Sequence, residues 1–547
     1  MILDNGVVRT MEPSLPTAAA LAIAGDRIAG GVSTHETALP TLERVDLRGR
    51  CVLPGFTDSH VHFPTWALAQ RQARLEGCTS LAEAVDRVRG AVASASSGRW
   101  LVGYGWRSAD WTPEVEPTRH DLDPVTGAVP VALWAKDDHS LWLNSAGLAH
   151  ANGDLAVPGG VVELDDRGDP TGLLREESAW RFRERHIRVS EDDLVDATRA
   201  AISLAHARGV TAVHDKDGWL GALRIWQRLQ VEGRLSVRVW QSLPHERLDE
   251  LTALGLRSGF GDDFLRIGYL KVFMDGTLSS GTGWMLDGSG VVITSGAELA
   301  EIVRRSAEAG WPIAVHAIGD RANREALDAF EATREVWQTR RLRPRVEHAQ
   351  LVDPADLPRF AALGVACSVQ FSHAPSDRDL ADRRWSGKAG AYAFRSLWES
   401  GALVANGSDA PIEELDPLLG IRAGVLRTLD QREGWRSDEA VTAEQALRAT
   451  TVNPAWLAGD EHQRGRLIPG YLADLVVLDR DPVACPPDEL ADVRVVATMV
   501  GGRWVHSPPA LGVIPRSRDR RSPCAGDASE ARHAPFRPGS VPAEALG

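Results

Sequence analysis

Cysteine is scarce in this chain and nowhere grouped. The five residues, Cys51, Cys78, Cys367, Cys485 and Cys524, are odd in number and show no C-x-x-C spacing. That excludes a disulfide framework and a cysteine zinc site, and it fits a reducing cytoplasm. Also missing is an apolar run of the roughly 18 residues that a membrane helix needs. The opening Met1 to Met11 lacks the basic start and cleavable apolar core of a secretory signal, so a soluble cytoplasmic protein is expected. Positive charge is in deficit: 61 Lys and Arg stand against 75 Asp and Glu, a net charge of -14. Such a surface repels polyphosphates and anionic lipid, so neither nucleic acid nor a membrane is an expected partner. With no G-x-x-x-x-G-K-[ST] loop and no G-x-G-x-x-G between strand and helix, the nucleotide-binding classes drop out too.

At 547 residues, the chain has room for two to four units, or for one large α/β barrel with attachments. Apolar runs of strand type alternate with helical patterns such as Leu299 to Ala309, which implies a parallel sheet covered by helices. Eight candidate strands stand out: Gly55–His60, Gly209–His214, Leu235–Gln241, Leu265–Phe273, Trp311–His316, Arg345–His348, Val365–Gln370 and Ala402–Asn406. Eight is the number that closes a TIM barrel. The count holds if residues 64–190 form an insertion after the first strand, with its own runs at Trp100–Trp106 and Val129–Trp134. Otherwise one of those runs is a barrel strand and Leu235–Gln241 is peripheral. Short β-like runs at the start, including a turn at Gly25-Asp26, match a β-rich stretch near the end. The two ends are expected to pair into one small β domain. The expected division is therefore residues 1–52 and 464–510 as that β domain, 53–463 as the barrel with its insertion, and 511–547 as a disordered tail, too poor in large apolar residues to order itself.

The polar groups that interrupt this pattern sit at strand ends. Leu53 to Phe63, LPGFTDSHVHF, closes an apolar run with His60 and His62, two apart and so on one side of an extended strand. Lys271, His316, His348 and Asp409 follow, each at the C-terminal end of its own strand, the rim where barrel enzymes place their active residues. Imidazole suits zinc and similar divalent ions, and a carboxylate adds a harder oxygen ligand. Four histidines, a lysine and an aspartate exceed the needs of one tetrahedral ion, which points to one or two zinc ions. Lysine ligates only once its charge is removed, for instance as a carboxylated Lys271 bridging two ions.

PGFTDSHVH, Lys271 in KVFMDGTLSSGTG, VHAIGD with His316, VEHAQ with His348 and GSDAP with Asp409, in this order, resemble the amidohydrolase superfamily. More narrowly, the chain is similar to the amidohydrolase-3 group, which includes N-substituted formamide deformylases. ARGVTAVHD, DDHSLWLNSAGL, GGVVELDDRGDPTGLLRE and RGRLIPGYLADLVVLDRDP extend the likeness over nearly all of residues 1–507. The resemblance implies a distorted TIM barrel with a small β-sandwich made from both chain ends and an inserted capping subdomain. It implies that His60 and His62 bind one metal, His316 and His348 a second, and carbamylated Lys271 bridges them. Asp409 would contact a metal and move protons. The implied activity is hydrolysis of a non-peptide carbon–nitrogen bond in a small linear amide or N-substituted formamide through a metal-activated hydroxide. A cyclic amide, carbamate or ester would suit the same site, and a metal-binding protein without turnover is the alternative of another class. His139 is a candidate donor to the substrate carbonyl, and Trp66, Trp106, Trp111, Trp134 and Trp142 are candidate walls of an apolar pocket. The sequence leaves homo-oligomerisation open.

Overall fold

Eight apolar stretches lie side by side as parallel strands: β1 (Phe56–Val61), β2 (Val210–Asp215), β3 (Arg238–Pro244), β4 (Leu265–Phe273), β5 (Ile313–Ala317), β6 (Arg345–His348), β7 (Ala366–Val369) and β8 (Val404–Asn406). The computed structural model describes residues 1–29, 43–93 and 100–507, apart from 152, 154 and 188. Strands buried on both faces read as apolar runs rather than as alternation, which is why they were visible in the sequence. Helices such as Gly296–Glu308 and Asp320–Ala332 follow the strands and cover the sheet. In the first of these, Ser295 caps the start by accepting from Glu298 N, and Leu299, Val303 and Ala307 face inward at helical spacing.

The sheet closes between its first and last strands, just past the end of β8. Asp409 N donates to His60 O at 2.7 Å and His62 N donates to Ala410 O at 2.9 Å. Gly407 is required at this seam, because a Cβ there would lie 2.4 Å from His60 N. The chain thus has the TIM-like barrel expected, with β3 inside it.

Trp100–Trp106 and Val129–Trp134 contribute instead to a separate sheet. Its order is Gly160–Leu164, Pro170–Glu176, Ser140–Leu143, Val131–Ala135, Leu101–Trp106 and Ala73–Arg74. All of it lies between β1 and β2 in sequence. The two chain ends meet in a third sheet, where Leu475–Leu478 runs antiparallel to Cys51–Pro54, with Leu475 opposite Pro54 and Leu478 opposite Cys51. A fourth sheet holds Ile2–Asp4, Leu21–Ala24, Arg27–Ile28 and Arg44–Asp46. Leu3, Leu21 and Ile23 of that sheet share a core with Val52, Leu475 and Met499 of the third, as in a β-sandwich. The tail expected over residues 511–547, with Cys524, lies outside the described residues. No helix among the described residues is long and apolar enough to cross a membrane.

Candidate metal centre and hydrolytic site

On β4 the side chains of Tyr269, Lys271 and Phe273 share one face by the two-residue period and mark three levels of the barrel interior. At the level of Tyr269, the guanidinium of Arg345 lies over the ring at 4.3 Å and the ammonium of Lys216 at 5.8 Å. Both cations converge on Glu347, Arg345 at 2.8 Å and Lys216 at 3.1 Å. Burial works against the Glu347 charge, but Arg345 and His60 outweigh it and hold the carboxyl well below its usual range. Its other oxygen reaches His60 Nδ1 at 2.7 Å.

The rim above collects the predicted residues. His60 Nε2 and His62 Nε2 lie 3.2 and 3.6 Å from Asp409 Oδ1. Their common aim does not come from a strand, since β1 ends at Val61 and His62 caps the helix Phe63–Ala69. His348 follows with its ring 4.7 Å from His60 and 4.6 Å from His316. Positive φ values of 74° at His348 and 58° at Asp409 turn both chains sharply at the rim. His60, His62 and Asp409 form one group whose ligand atoms all lie within 4.8 Å of one another, and His348, His373 and Asp409 form another. His316 belongs to neither group, and Lys271 is not a ligand type in its unmodified form. They adjoin it: Lys271 feels the charges of Glu347 and Asp409, and His316 packs against His348.

The hydrogen bonds around the imidazoles decide which nitrogens are free to ligate. His60 Nδ1 faces Glu347, His62 Nδ1 faces Asp217 Oδ1 at 2.9 Å, and His348 Nδ1 faces Gln370 Oε1 at 2.8 Å. His316 instead directs Nε2 to the carbonyl of Gly276 at 3.1 Å. Each partner is an acceptor, so each ring commits its N–H there and keeps a lone pair on the other nitrogen. His60 Nε2 is buried without a hydrogen-bond partner. Burial pushes the pKa of His316 and His348 far down; positive neighbours push the same way at His316, and at His348 burial outweighs Asp409, so both favour the neutral form that ligation requires. At His62 burial opposes protonation, but Asp217 and Asp409 outweigh it and raise the pKa; the same negative surroundings attract a metal cation. Burial would raise the Asp409 carboxyl, yet His60, His348 and His62 hold it well below the usual range. Lys271 is buried, its Nζ has no hydrogen-bond partner, and desolvation lowers its pKa to about 8 despite Glu347 and Asp409. An unpaired ammonium is out of place there, whereas an anionic ligand group would fit. Lone pairs, a carboxylate and an unpaired amine together fit a bound divalent metal.

The site matches known proteins along most of its chain. The model of the amidohydrolase family matches residues 43–506. The chain belongs to the amidohydrolase family. This amidohydrolase is 30% identical over 539 residues to Protein LONG AFTER FAR-RED 3 of Arabidopsis thaliana, with 92% of its chain and 91% of the relative covered. It is 28% identical over 534 residues to the N-substituted formamide deformylase of Arthrobacter pascens, with 92% and 97% covered. The crystal structure of an uncharacterized metal-dependent hydrolase from Pyrococcus horikoshii OT3 superposes with a TM-score of 0.72 at 28% identity, over 89% of this chain and 99% of that one. The amidohydrolase is thus a metal-dependent hydrolytic enzyme acting on small molecules.

His139 reaches the same rim from the inserted sheet, its ring stacked on His316 at 5.7 Å. Burial opposes its charge, but Glu176, 2.6 Å from Nδ1, outweighs it and raises the pKa to about 9. Glu176 thus favours the charged form of His139, in which both ring nitrogens donate. The pocket expected from Trp66, Trp106, Trp111, Trp134 and Trp142 is not there. All five are buried, and Trp106, Trp111 and Trp142 pack on one another at 6.1 to 6.4 Å as the core of the inserted sheet. Trp180, Phe273 and Trp219 form the aromatic surface beside the site. Phe273 touches His316 at 5.1 Å, and the rings of Trp180 and Trp219 lie 5.7 and 5.5 Å from Phe273. Trp219 is 46% exposed. Glu347, Asp217, Glu176 and His373 were missed from the sequence; of these, only Glu347 left a trace, a charge on the same face of a barrel strand as Arg345.

Proposed function

We propose that the enzyme hydrolyses a small linear amide, and within that class an N-substituted formamide, to a carboxylate and an amine. The observation that carries the reading is the set of committed N–H groups, which leaves lone pairs of His60 and His62 facing the Asp409 carboxylate and a free nitrogen on each of the adjoining His348 and His316 rings. His60, His62 and Asp409 would hold one zinc ion, and His316, His348 and carboxylated Lys271 a second. When bound, these ions acidify water and polarise a carbonyl. Asp409 accepts the proton from the attacking water and passes it to the leaving nitrogen as the C–N bond breaks. His139 donates from Nε2 to the carbonyl oxygen as its charge grows. Trp180, Phe273 and Trp219 receive the apolar N-substituent. The deformylase relative supports the choice of a formamide among amides. The buried free thiols of Cys51, Cys78 and Cys367 suit a reducing, cytoplasmic setting.

The test is elemental analysis of the purified protein together with hydrolysis of a panel of N-substituted formamides, larger acyl amides, cyclic amides, carbamates and esters. Bound zinc, with the highest kcat/KM on formamides, is expected. A higher kcat/KM on a cyclic amide or an ester refutes the substrate assignment.

A further inference from the structure

We infer that His373 is a positioning residue whose Nε2–H holds the Asp409 carboxylate, and that it is not a metal ligand. The inference rests on the reading of Asp409 as the proton carrier. His373 is the first residue of the helix His373–Arg384 and is buried. Its Nδ1 lies 3.0 Å from the amide nitrogen of Gln350. With the amide in this orientation its nitrogen donates, so Nδ1 accepts and the ring proton sits on Nε2. That nitrogen faces Asp409 Oδ2 at 3.9 Å and has no hydrogen-bond partner.

His60 and His62 are arranged the opposite way, with lone pairs toward Oδ1. His348 brings Nδ1 to 3.7 Å from Oδ2, but its N–H is committed to Gln370 Oε1 at 2.8 Å. Among these four rings, His373 alone turns an uncommitted N–H toward the carboxylate. A buried donor without an acceptor is costly, and the nearest acceptor is Oδ2. A small rotation of the carboxylate closes the contact. Asp409 then has one oxygen fixed by His373 and the other facing the lone pairs of His60 and His62. The backbone of Asp409 is already tied to His60 O, so side-chain rotation is the freedom that His373 removes.

The inserted sheet keeps this helix in place. Arg107 pairs with Asp377 at 2.8 Å and donates to Ser376 O at 2.8 Å, and Lys136 Nζ donates to Ser376 Oγ at 2.8 Å. Tyr392 adds a hydrogen bond to Asp377 at 2.7 Å. His373 therefore sits on a braced first turn, as a residue that orients another must.

The test compares wild type with His373→Leu and His373→Gln for zinc per chain, kcat and KM on an N-substituted formamide. His373→Leu is expected to keep its metal and its KM and to lose about 10- to 100-fold in kcat, the scale of a misplaced catalytic group. His373→Gln retains an N–H and is expected to recover at least about tenfold of that loss, which a purely steric role would not produce. Loss of a metal equivalent in both variants makes His373 a ligand and overturns the inference. Equal kcat in the Leu and Gln variants, or wild-type kcat in His373→Leu, overturns it as well. A metal-loaded wild type inert toward every amide would instead overturn the parent reading of Asp409, and this one with it.

Discussion

Replacing Glu347 by Gln should destabilise the metal-free enzyme and weaken metal binding together. The carboxylate is fully buried and serves two cations, Arg345 at 2.8 Å and Lys216 at 3.1 Å, besides His60 Nδ1 at 2.7 Å. Removing one partner of a buried ion pair costs about 3–5 kcal/mol, because a charge is left without compensation in a low-dielectric interior. Unfolding about 500 residues as one unit carries an entropy of about 1 kcal/mol per degree, so Tm should fall by about 3–5 °C. The acid side gives a second check. The folded pKa of Glu347 is depressed from its ordinary 4.5, so its stabilisation is complete above that value and is lost as pH falls below it. The deficit of the Gln variant should therefore shrink by about 1.4 kcal/mol per pH unit below that point. A neutral amide also loosens the tautomer of His60, and loss of such an outer partner weakens metal affinity by about 10- to 100-fold. Thermal unfolding of the stripped protein at several pH values and zinc titration measure both arms. An unchanged Tm together with unchanged zinc affinity would refute the idea that this buried cluster supports the site.

Asp409→Asn should reduce turnover by at least about 10²- to 10⁴-fold while much of the metal stays bound, and near-normal turnover would sink the proton-carrier assignment. Stripped enzyme reloaded with zinc should regain more metal and activity when bicarbonate is present, with Lys271→Ala insensitive to it; no bicarbonate effect on wild type argues against a carboxylated Lys271. Trp219→Ala should weaken binding of aryl-bearing formamides by about three- to tenfold, the scale of one aromatic contact, and leave N-methylformamide unaffected. Equal losses on both substrates would remove Trp219 from the substituent site.

The barrel was legible because its strands are buried on both faces. All eight were found, two with the same ends, while others moved by one to three residues. Trp311–His316 became Ile313–Ala317, for example, since the boundary depends on pairing with β4 rather than on apolar content. The rim residues were legible because chemistry-bearing side chains at strand ends interrupt apolar runs. What could not be read depends on contacts distant in sequence. Tryptophans look alike in one dimension, and tertiary packing alone separates Trp106, Trp111 and Trp142 of the insertion, packed tilted or edge-on against one another, from the exposed Trp219 after β2. His373 opens a helix after β7 with no local mark, and its role emerges only from Gln350 and Asp409 across the fold.

The seam between β1 and β8 bears on how this enzyme is made. Asp58 accepts from Ser408 N at 3.0 Å across 350 residues of chain, beside the backbone bonds that join His60 to Asp409. The first and last contributors to the metal group are thus neighbours only after the whole barrel has been wound. A chain emerging from the ribosome displays its histidine pair early but carries no partner carboxylate until more than four hundred residues have been synthesised. The imidazoles of the site, His60, His62, His316 and His348, are thus all made before the one carboxylate among them, and any product truncated before Asp409 would lack both that carboxylate and the backbone bonds that join the end of β8 to β1.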